Sequence, residues 1–152
     1  MSESAPTENR VVTASGEVAA PAAEIFELIA DPAQQPRWDG NDNLGSAEEG
    51  QRVRAVGDSF VVTLTKGTLR ENHVVEFEEG RLIAWKPAPD GWEPGHLWRW
   101  RLTDLGDGRT RVEHTYDWTQ LEDPARLERA RSTTEANLLA SIERLTALAE
   151  SS

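Results

Sequence analysis

Small or apolar side chains occupy every second position of the first patterned segment, residues 11–20. One face of this segment carries Val12, Ala14, Gly16 and Val18. Such alternation is typical of a strand with one buried side. Pro21 then suits the first position of a helix, where the N–H that proline lacks would have no partner. An apolar stripe at helical spacing ends at Pro32, so we predict one or two short helices after the first strand.

The pattern from residue 58 to residue 119 also alternates, with turn residues between the alternating stretches. It predicts five further strands, at residues 58–65, 68–80, 81–87, 96–105 and 110–119. A Gly- and Asn-rich loop at residues 39–45 comes before them, and a Pro-rich loop at residues 87–95 interrupts them. The sequence LGDG at residues 105–108 forms the turn between the last two strands.

The last segment predicts one uninterrupted helix from Pro124 to the end of the chain, with Asp123 as its N-cap. Its core positions recur every three or four residues, at Leu127, Arg131, Thr134, Leu138, Ile142 and Leu145. A long helix with one apolar face must cover a surface, and the inner face of the sheet is the one available. The predicted fold class is therefore α+β, with an antiparallel sheet wrapped around a helix.

Two parts of the chain resemble a known superfamily. The sequence GEVAAPAAEIFELIADPAQQPRWDG, residues 16–40, is similar to the opening of the START-like or Bet v 1-like proteins, also called the polyketide cyclase/dehydrase and lipid-transport family. The features that carry the likeness are Val18, Pro21, Phe26, Asp31, Pro32 and Trp38. Residues 74–87 and the HTYDW sequence at residues 114–118 also resemble this family. The resemblance extends roughly from Val11 to Leu148.

The resemblance implies a helix-grip fold, in which a curved seven-stranded antiparallel sheet surrounds the C-terminal helix and a hydrophobic cavity lies between them. It also agrees with a single domain over residues 10–150. Residues 1–9 are small and polar, so we expect them to be a flexible tail. The family includes aromatase/cyclases and carriers of lipids and hormones. It shares no catalytic motif, so the resemblance assigns no catalytic residue.

The composition restricts the partners of the protein. The 152 residues include no cysteine, which excludes disulfides and thiolate chemistry. A net charge of −11 argues against nucleic acid or an anionic membrane as partner. No apolar run is long enough for membrane insertion, and the N-terminal sequence lacks the pattern of a signal peptide. We therefore expect a cytoplasmic protein, either a monomer or a weak homodimer, without a cofactor. A metal site is not expected, because the three histidines lie on separate strands.

A hairpin centred on Asp107 separates the last two strands into an apolar and a charged face. It pairs Leu102 with Val112, Trp100 with His114, Trp98 with Tyr116, and His96 with Trp118. The opposite face then carries Arg99 and Arg101. A slip by one residue would mix the two faces, so the pattern favours this register. The aromatic face points inward, and the sequence leaves open whether it is packed core or the wall of a ligand site.

The orientation of Trp85 depends on the turn that precedes its strand. A two-residue turn pairs Phe77 with Leu82 and directs Trp85 outward, whereas a longer loop pairs Phe77 with Ile83 and directs it inward. We favour the longer loop because a large aromatic side chain prefers burial. By simple alternation His73 shares the inward face of its strand with Phe77.

A cavity in this fold would be lined by aromatic side chains and a few polar groups. The candidate ligand-binding residues are Trp85, Trp98, Trp100, His114, Tyr116, Trp118, His73, Thr134 and Leu138. Arg131 on the last helix either reaches a ligand or, as we favour, extends into water. His114, Tyr116 and His73 are also the candidate acid/base residues, since imidazole titrates near neutral pH.

Three functions remain compatible with the sequence. The first, which we favour, is binding of a small hydrophobic or aromatic molecule of lipid-like or polyketide-like kind. The second is a polyketide cyclase or dehydratase that uses inward His and Tyr residues as acid and base. It is less favoured because no carboxylate is evident beside His114 to orient it. The third is an interaction domain without a usable cavity.

Overall fold

The computed structural model describes residues 10–87, 95–122 and 124–151. The predicted tail at residues 1–9, most of the predicted Pro-rich loop and the predicted N-cap Asp123 lie outside this part of the chain. Within these ranges no helix has both the length and the hydrophobicity needed to cross a membrane.

Seven antiparallel strands form one sheet. They are β1 (Val11–Val18), β2 (Leu44–Ser46), β3 (Ser59–Leu64), β4 (Leu69–Glu78), β5 (Leu82–Pro87), β6 (Leu97–Gly106) and β7 (Arg109–Asp117). Their order across the sheet is β1-β7-β6-β5-β4-β3-β2. Six of them match the strands predicted from alternation. The short edge strand β2 falls in a segment that the sequence predicts as a Gly- and Asn-rich loop, because three residues are too few to display a pattern.

Two short helices connect β1 to β2, as predicted. Helix α1 covers Ala22–Ala30, and α2 covers Gln35–Trp38 after a turn of 3-10 helix. The backbone of Pro21 is extended, so Pro21 is the N-cap residue immediately before α1. The indole Nε1 of Trp38 donates to the carbonyl oxygen of Leu28 at 2.7 Å. This bond joins the end of α2 to α1 and fixes the buried Trp38 ring above the sheet.

The C-terminal segment is two helices, so the prediction of one uninterrupted helix is wrong. Helix α3 covers Pro124–Arg131 and α4 covers Glu135–Glu150. Thr134 between them has an extended backbone, and its N–H and hydroxyl donate to Asn137 Oδ1 at 2.8 and 3.1 Å. Hydroxyl side chains favour such caps over helix interiors, because they offer the backbone alternative hydrogen bonds. The Ser-Thr-Thr sequence at residues 132–134 therefore separates α3 from α4, and its last residue is the N-cap of α4.

Helix α4 covers only the end of the sheet at β1. Its buried residues Leu138, Ile142 and Leu145 belong to the core, and its main contact in the sheet is with β1. Gly16 permits this close approach, since a Cβ there would lie 3.2 Å from Cγ2 of Ile142. The middle strands of the sheet are therefore left without α4 above them.

A β-bulge in β4 reverses the face on which its side chains lie. The pairing with β5 shifts between Val74 and Glu76, so one extra residue is inserted there. Before the bulge Asn72 and Val74 are buried, and after it Phe77 packs against the core. His73 consequently faces outward, and the prediction that it shares the inward face with Phe77 is wrong.

Candidate functional site

A cavity of about 540 Å³ lies where α4 leaves the sheet uncovered. Strands β3 to β7 supply one wall, and α2, α3 and the first turns of α4 supply the other. The break between α3 and α4 opens onto this space, since Ser132, Thr133 and Asn137 line it. The fold therefore places a cavity between the sheet and the C-terminal helices, as the family resemblance implies.

One side of the cavity is an aromatic wall formed by Trp85, Trp98, Trp100, His114 and Tyr116. The predicted register of the last hairpin is confirmed, with Trp98 opposite Tyr116 and Trp100 opposite His114. The Trp98 and Tyr116 rings are 4.3 Å apart between centroids, and Trp100 stacks on His114 at 3.7 Å with 13° between their planes. Such contacts fix the rings as a rigid surface.

Trp85 points inward, as the longer loop predicts. Phe77 pairs with Ile83, and Trp85 is 6% exposed and lies opposite Trp98 across β5 and β6. The pairing of β6 with β7 begins at Leu97, so the predicted His96–Trp118 pair lies beyond the end of the ladder.

His114 is buried in the aromatic wall as a neutral imidazole. Its side chain is 3% exposed, and Nδ1 lies 3.1 Å from the carbonyl oxygen of Arg99. A carbonyl oxygen only accepts, so Nδ1 carries the proton and Nε2 keeps its lone pair. Burial disfavours the charged ring and lowers the pKa of His114 to about 3, although the bond to Arg99 opposes the shift. His114 therefore acts as a hydrogen-bond acceptor at neutral pH.

Among the described residues, Asp39 contributes the one carboxylate that lines the cavity. Its Oδ1 accepts from the backbone N–H of Asn41 at 3.0 Å, and its Oδ2 accepts from Asn43 and Leu44 at 2.8 and 2.9 Å. These bonds hold the loop between α2 and β2, so Asp39 has a structural role and does not orient His114. The described part of the chain also contains no group of three His, Asp or Glu side chains placed to hold a metal.

Trp100 carries a buried hydrogen-bond donor that sequence reasoning does not find. Its side chain is fully buried, and its indole N–H has no hydrogen-bond acceptor among the described residues. A buried donor without a partner is costly to the folded state. Burial of the ring was predicted, but a strand pattern does not show where an indole nitrogen points.

Trp118 does not line the cavity, contrary to the prediction. It follows the last residue of β7, and its backbone N–H donates to the carbonyl oxygen of Arg10 at 2.8 Å. The guanidinium groups of Arg10 and Arg131 lie 4.8 and 6.0 Å from the centre of its ring. Trp118 is thus a core residue beneath two cations, and Arg131 is exposed beside it, as we favoured for that residue.

Three other predicted ligand-binding residues also lie outside the cavity lining. Thr134 is exposed and caps α4, while Leu138 is 1% exposed in the packed core between α4 and the sheet. His73 is on the outer face, where its Nε2 lies 3.7 Å from Glu71 Oε2. The bulge in β4 turns His73 outward, the break before α4 makes Thr134 a cap, and Leu138 faces inward but packs in the core.

The remainder of the lining is more polar than the hydrophobic cavity that the resemblance implies. Polar and charged lining residues outside the aromatic wall include Gln35, Asn41, Asn43, Lys66, Arg70, Asn72, Arg126, Ser132, Thr133, Asn137 and Ser141. One signal could have located part of this set. Arg70 pairs with Val62, one of the alternating apolar residues of β3, which is buried, and directly opposed residues of a sheet share a face.

Known proteins with similar sequences or folds are often longer than this chain. Rv0088, an uncharacterised protein of Mycobacterium tuberculosis, is 31% identical over 110 residues, covering 70% of this chain and 47% of that protein. The structure of DynU16, from the dynemicin biosynthetic locus, has a TM-score of 0.66 at 20% identity, covering 94% of this chain and 48% of that one. The chain thus spans about half the length of these two relatives.

The di-domain ARO/CYC StfQ from the steffimycin biosynthetic pathway has a TM-score of 0.59 at 23% identity, covering 91% of this chain and 44% of that one. At such identities the likeness concerns the fold, which is the helix-grip fold of a seven-stranded antiparallel sheet and a C-terminal helix. The family model described as polyketide cyclase/dehydrase and lipid transport matches residues 9–150. The chain therefore belongs to the polyketide cyclase/dehydrase and lipid-transport family.

Proposed function

We propose that the protein binds a small aromatic or lipid-like molecule in the cavity, with a planar or apolar part against the aromatic wall. The observation that carries this proposal is the cavity of about 540 Å³ bounded by Trp85, Trp98 and Trp100. Ligand sites commonly measure roughly 300–1,000 Å³ and combine aromatic walls with a few polar groups. A cavity of this size argues against the alternative of an interaction domain without a usable cavity.

The state of His114 supports binding over catalysis. A general base works best when its pKa lies near the working pH, and burial lowers the pKa of His114 to about 3. The neutral ring with a lone pair at Nε2 instead suits a hydroxyl or N–H donor of a ligand. Trp100 stacks on the same ring. His114 Nε2 would orient a ligand that carries such a donor.

A cyclase or dehydratase is the second candidate. It is favoured by the family and by the likeness to StfQ, an ARO/CYC protein. His114 Nε2 or the Tyr116 hydroxyl would then move protons of a substrate held against the aromatic wall. The low basicity of His114, which burial causes, counts against this candidate.

Titration with N-phenyl-1-naphthylamine, a neutral aromatic probe whose fluorescence rises in apolar surroundings, tests the proposal. We expect saturable binding, and we expect Trp98→Ala to weaken it by about fivefold because a stacked ring in a ligand site contributes roughly 1 kcal/mol. Leu105→Ala, at an exposed apolar residue of the hairpin, is the control. Absence of saturable binding would contradict the proposal. Native mass spectrometry of the purified protein would then identify any apolar molecule that copurifies.

His114→Ala separates binding from catalysis. If the protein is a binder, the variant changes probe affinity modestly, and no turnover of a polyketide-like substrate is observed with either form. Loss of turnover by orders of magnitude with binding retained would favour the cyclase. The cytoplasmic location and the monomeric or weakly dimeric state stay predictions, and light scattering of the purified chain tests the second.

A further inference from the structure

The imidazole of His114 gives the aromatic wall an acceptor with a fixed direction. Nδ1 holds its proton against the carbonyl oxygen of Arg99 at 3.1 Å, so the other ring nitrogen, Nε2, can only accept. Trp100 stacks on the ring at 3.7 Å, and Trp98 lies nearly parallel to it at 5.5 Å between centroids. The ring therefore cannot turn to present another atom without breaking its bond to Arg99.

No described residue donates a hydrogen bond to Nε2 of His114. The indole nitrogen of Trp100 also lacks a partner, but it is enclosed by the protein, whereas Nε2 is not. A buried acceptor without a partner is costly, and His114 lines the cavity. A hydroxyl or N–H group of a ligand is therefore favoured beside Nε2, while a carbonyl or ether oxygen would face its lone pair.

Asn72 on β4 provides a second polar point of a different kind. Its side chain is 3% exposed and lines the cavity, and its Nδ2 donates to the carbonyl oxygen of Arg70 at 3.3 Å. The amide keeps Oδ1 and one N–H, so it can accept from a ligand or donate to it. Strands β4 and β7 are separated by β5 and β6, which carry the tryptophans, so roughly 14 Å of sheet lies between the backbones of Asn72 and His114. A ligand that meets both residues must be elongated along the aromatic wall.

We propose that the natural ligand is an elongated aromatic molecule with a hydrogen-bond donor on its ring system. The donor, a hydroxyl or an N–H group, bonds to Nε2 of His114, and a polar group at the far end meets Asn72. The fused rings lie against the tryptophans between these two points. This inference rests on the proposed function and adds the substrate class, since molecules whose ring substituents only accept leave Nε2 without a partner.

Three naphthalenes that differ only in their hydroxyl hydrogens test the inference by displacing N-phenyl-1-naphthylamine. We expect 2,6-dihydroxynaphthalene and 6-methoxy-2-naphthol to bind within about threefold of each other, because one donor suffices for His114 and Asn72 can donate to the methoxy oxygen. 2,6-Dimethoxynaphthalene should bind about fivefold more weakly than either, although it is the most apolar of the three. 2,6-Diaminonaphthalene then distinguishes N–H donors from hydroxyl donors.

Matched variants locate the two polar points. His114→Phe keeps a ring beside Trp100 but removes the acceptor, so the three naphthalenes should bind within about twofold of one another. Asn72→Leu should weaken all three by a similar factor of about threefold, because the amide serves hydroxyl and ether oxygens alike. His73→Phe makes the same exchange on the outer face and is the control, with the preference for a hydroxyl retained. Circular dichroism checks that each variant is folded.

A measurement on the unaltered protein covers the case in which His114→Phe does not fold. The ¹⁵N resonance of His114 Nε2 should move to lower frequency with 6-methoxy-2-naphthol, as an accepted hydrogen bond requires, and should move less with 2,6-dimethoxynaphthalene.

The outcomes separate this inference from the proposed function. If N-phenyl-1-naphthylamine binds and the dimethoxy compound displaces it as well as the hydroxyl compounds do, the donor requirement is wrong and the cavity proposal stands. The same conclusion follows if folded His114→Phe keeps the preference for a hydroxyl. If neither the fluorescent probe nor any naphthalene binds, both proposals fail.

Discussion

At the scale of single residues, the contacts of His114 show how a polar side chain is accommodated inside an aromatic wall. Its ring stacks on Trp100 and lies parallel to that of Trp98, within 17° and with 5.5 Å between ring centroids. A phenylalanine could fill the same space but could not donate to the Arg99 carbonyl or accept from a ligand. The residue is therefore suited to orienting a molecule in the cavity, provided that it stays neutral.

The neutrality of His114 predicts how stability depends on pH. The unfolded histidine binds a proton near pH 6.5, whereas in the folded protein burial lowers the pKa to about 3. Between these values the unfolded state holds more protons, so the free energy of unfolding falls as the pH decreases from 6.5. We expect a loss on the order of 2 kcal/mol between pH 6.5 and 5, measured by urea denaturation.

Two variants isolate this effect. His114→Gln should flatten the decline between pH 6.5 and 5, while His73→Gln on the outer face should not. The paired carboxylates Glu27 and Glu76, whose pKa values are lowered by hydrogen bonds to Arg52 and Arg99, lose their stabilising effect only below about pH 4.5. A decline of equal slope in wild type and His114→Gln would show that His114 is accessible to protons in the folded protein.

At the scale of secondary structure elements, the sequence predicts what a repeated pattern encodes. The β6–β7 register follows from the separation of aromatic and charged side chains, which a slip of one residue would destroy. The bulge in β4 breaks the alternation with one inserted residue, and no residue type near Val74 indicates a bulge. The start of α4 also escapes the pattern, because Thr134 fits both a helical stripe and a cap. Because the pattern misses the bulge, it assigns His73 to the predicted site, and because it misses the start of α4, it assigns Thr134 to that site.

The role of Thr134 as a cap can be tested by its removal. Thr134→Ala should lower the free energy of unfolding by about 1 kcal/mol, because the alanine cannot bond to Asn137 and the first turn of α4 loses part of its cap. Binding of the naphthylamine probe should change little, since Thr134 is exposed and outside the lining. Glu143→Ala, at an exposed position within α4, is the control for an alanine in this helix. A large loss of probe affinity with unchanged stability would restore Thr134 to the site.

At the scale of the whole molecule, the cavity results from incomplete coverage of the sheet. Helix α4 packs mainly on β1. Helices α1 and α2 are joined to each other through Trp38. The aromatic wall on the middle strands therefore borders the cavity. The family resemblance implies such a space, whereas its polar and cationic lining depends on pairings that only the structure supplies.

The same coverage predicts that stability is distributed unevenly across the molecule. Helix α4 buries Leu138, Ser141, Ile142, Leu145 and Ala149, whereas among the described side chains of α3 Ala130 is buried and Leu127 is half-buried. Amides of α3 should therefore exchange with deuterium about tenfold faster than those of α4, because few buried contacts oppose local opening. Adding a saturating probe should slow exchange in α3, which lines the cavity, and leave the well-buried α1 unchanged as an internal control. Equal protection of α3 and α4 without ligand would mean that the cavity wall is as firmly held as the core.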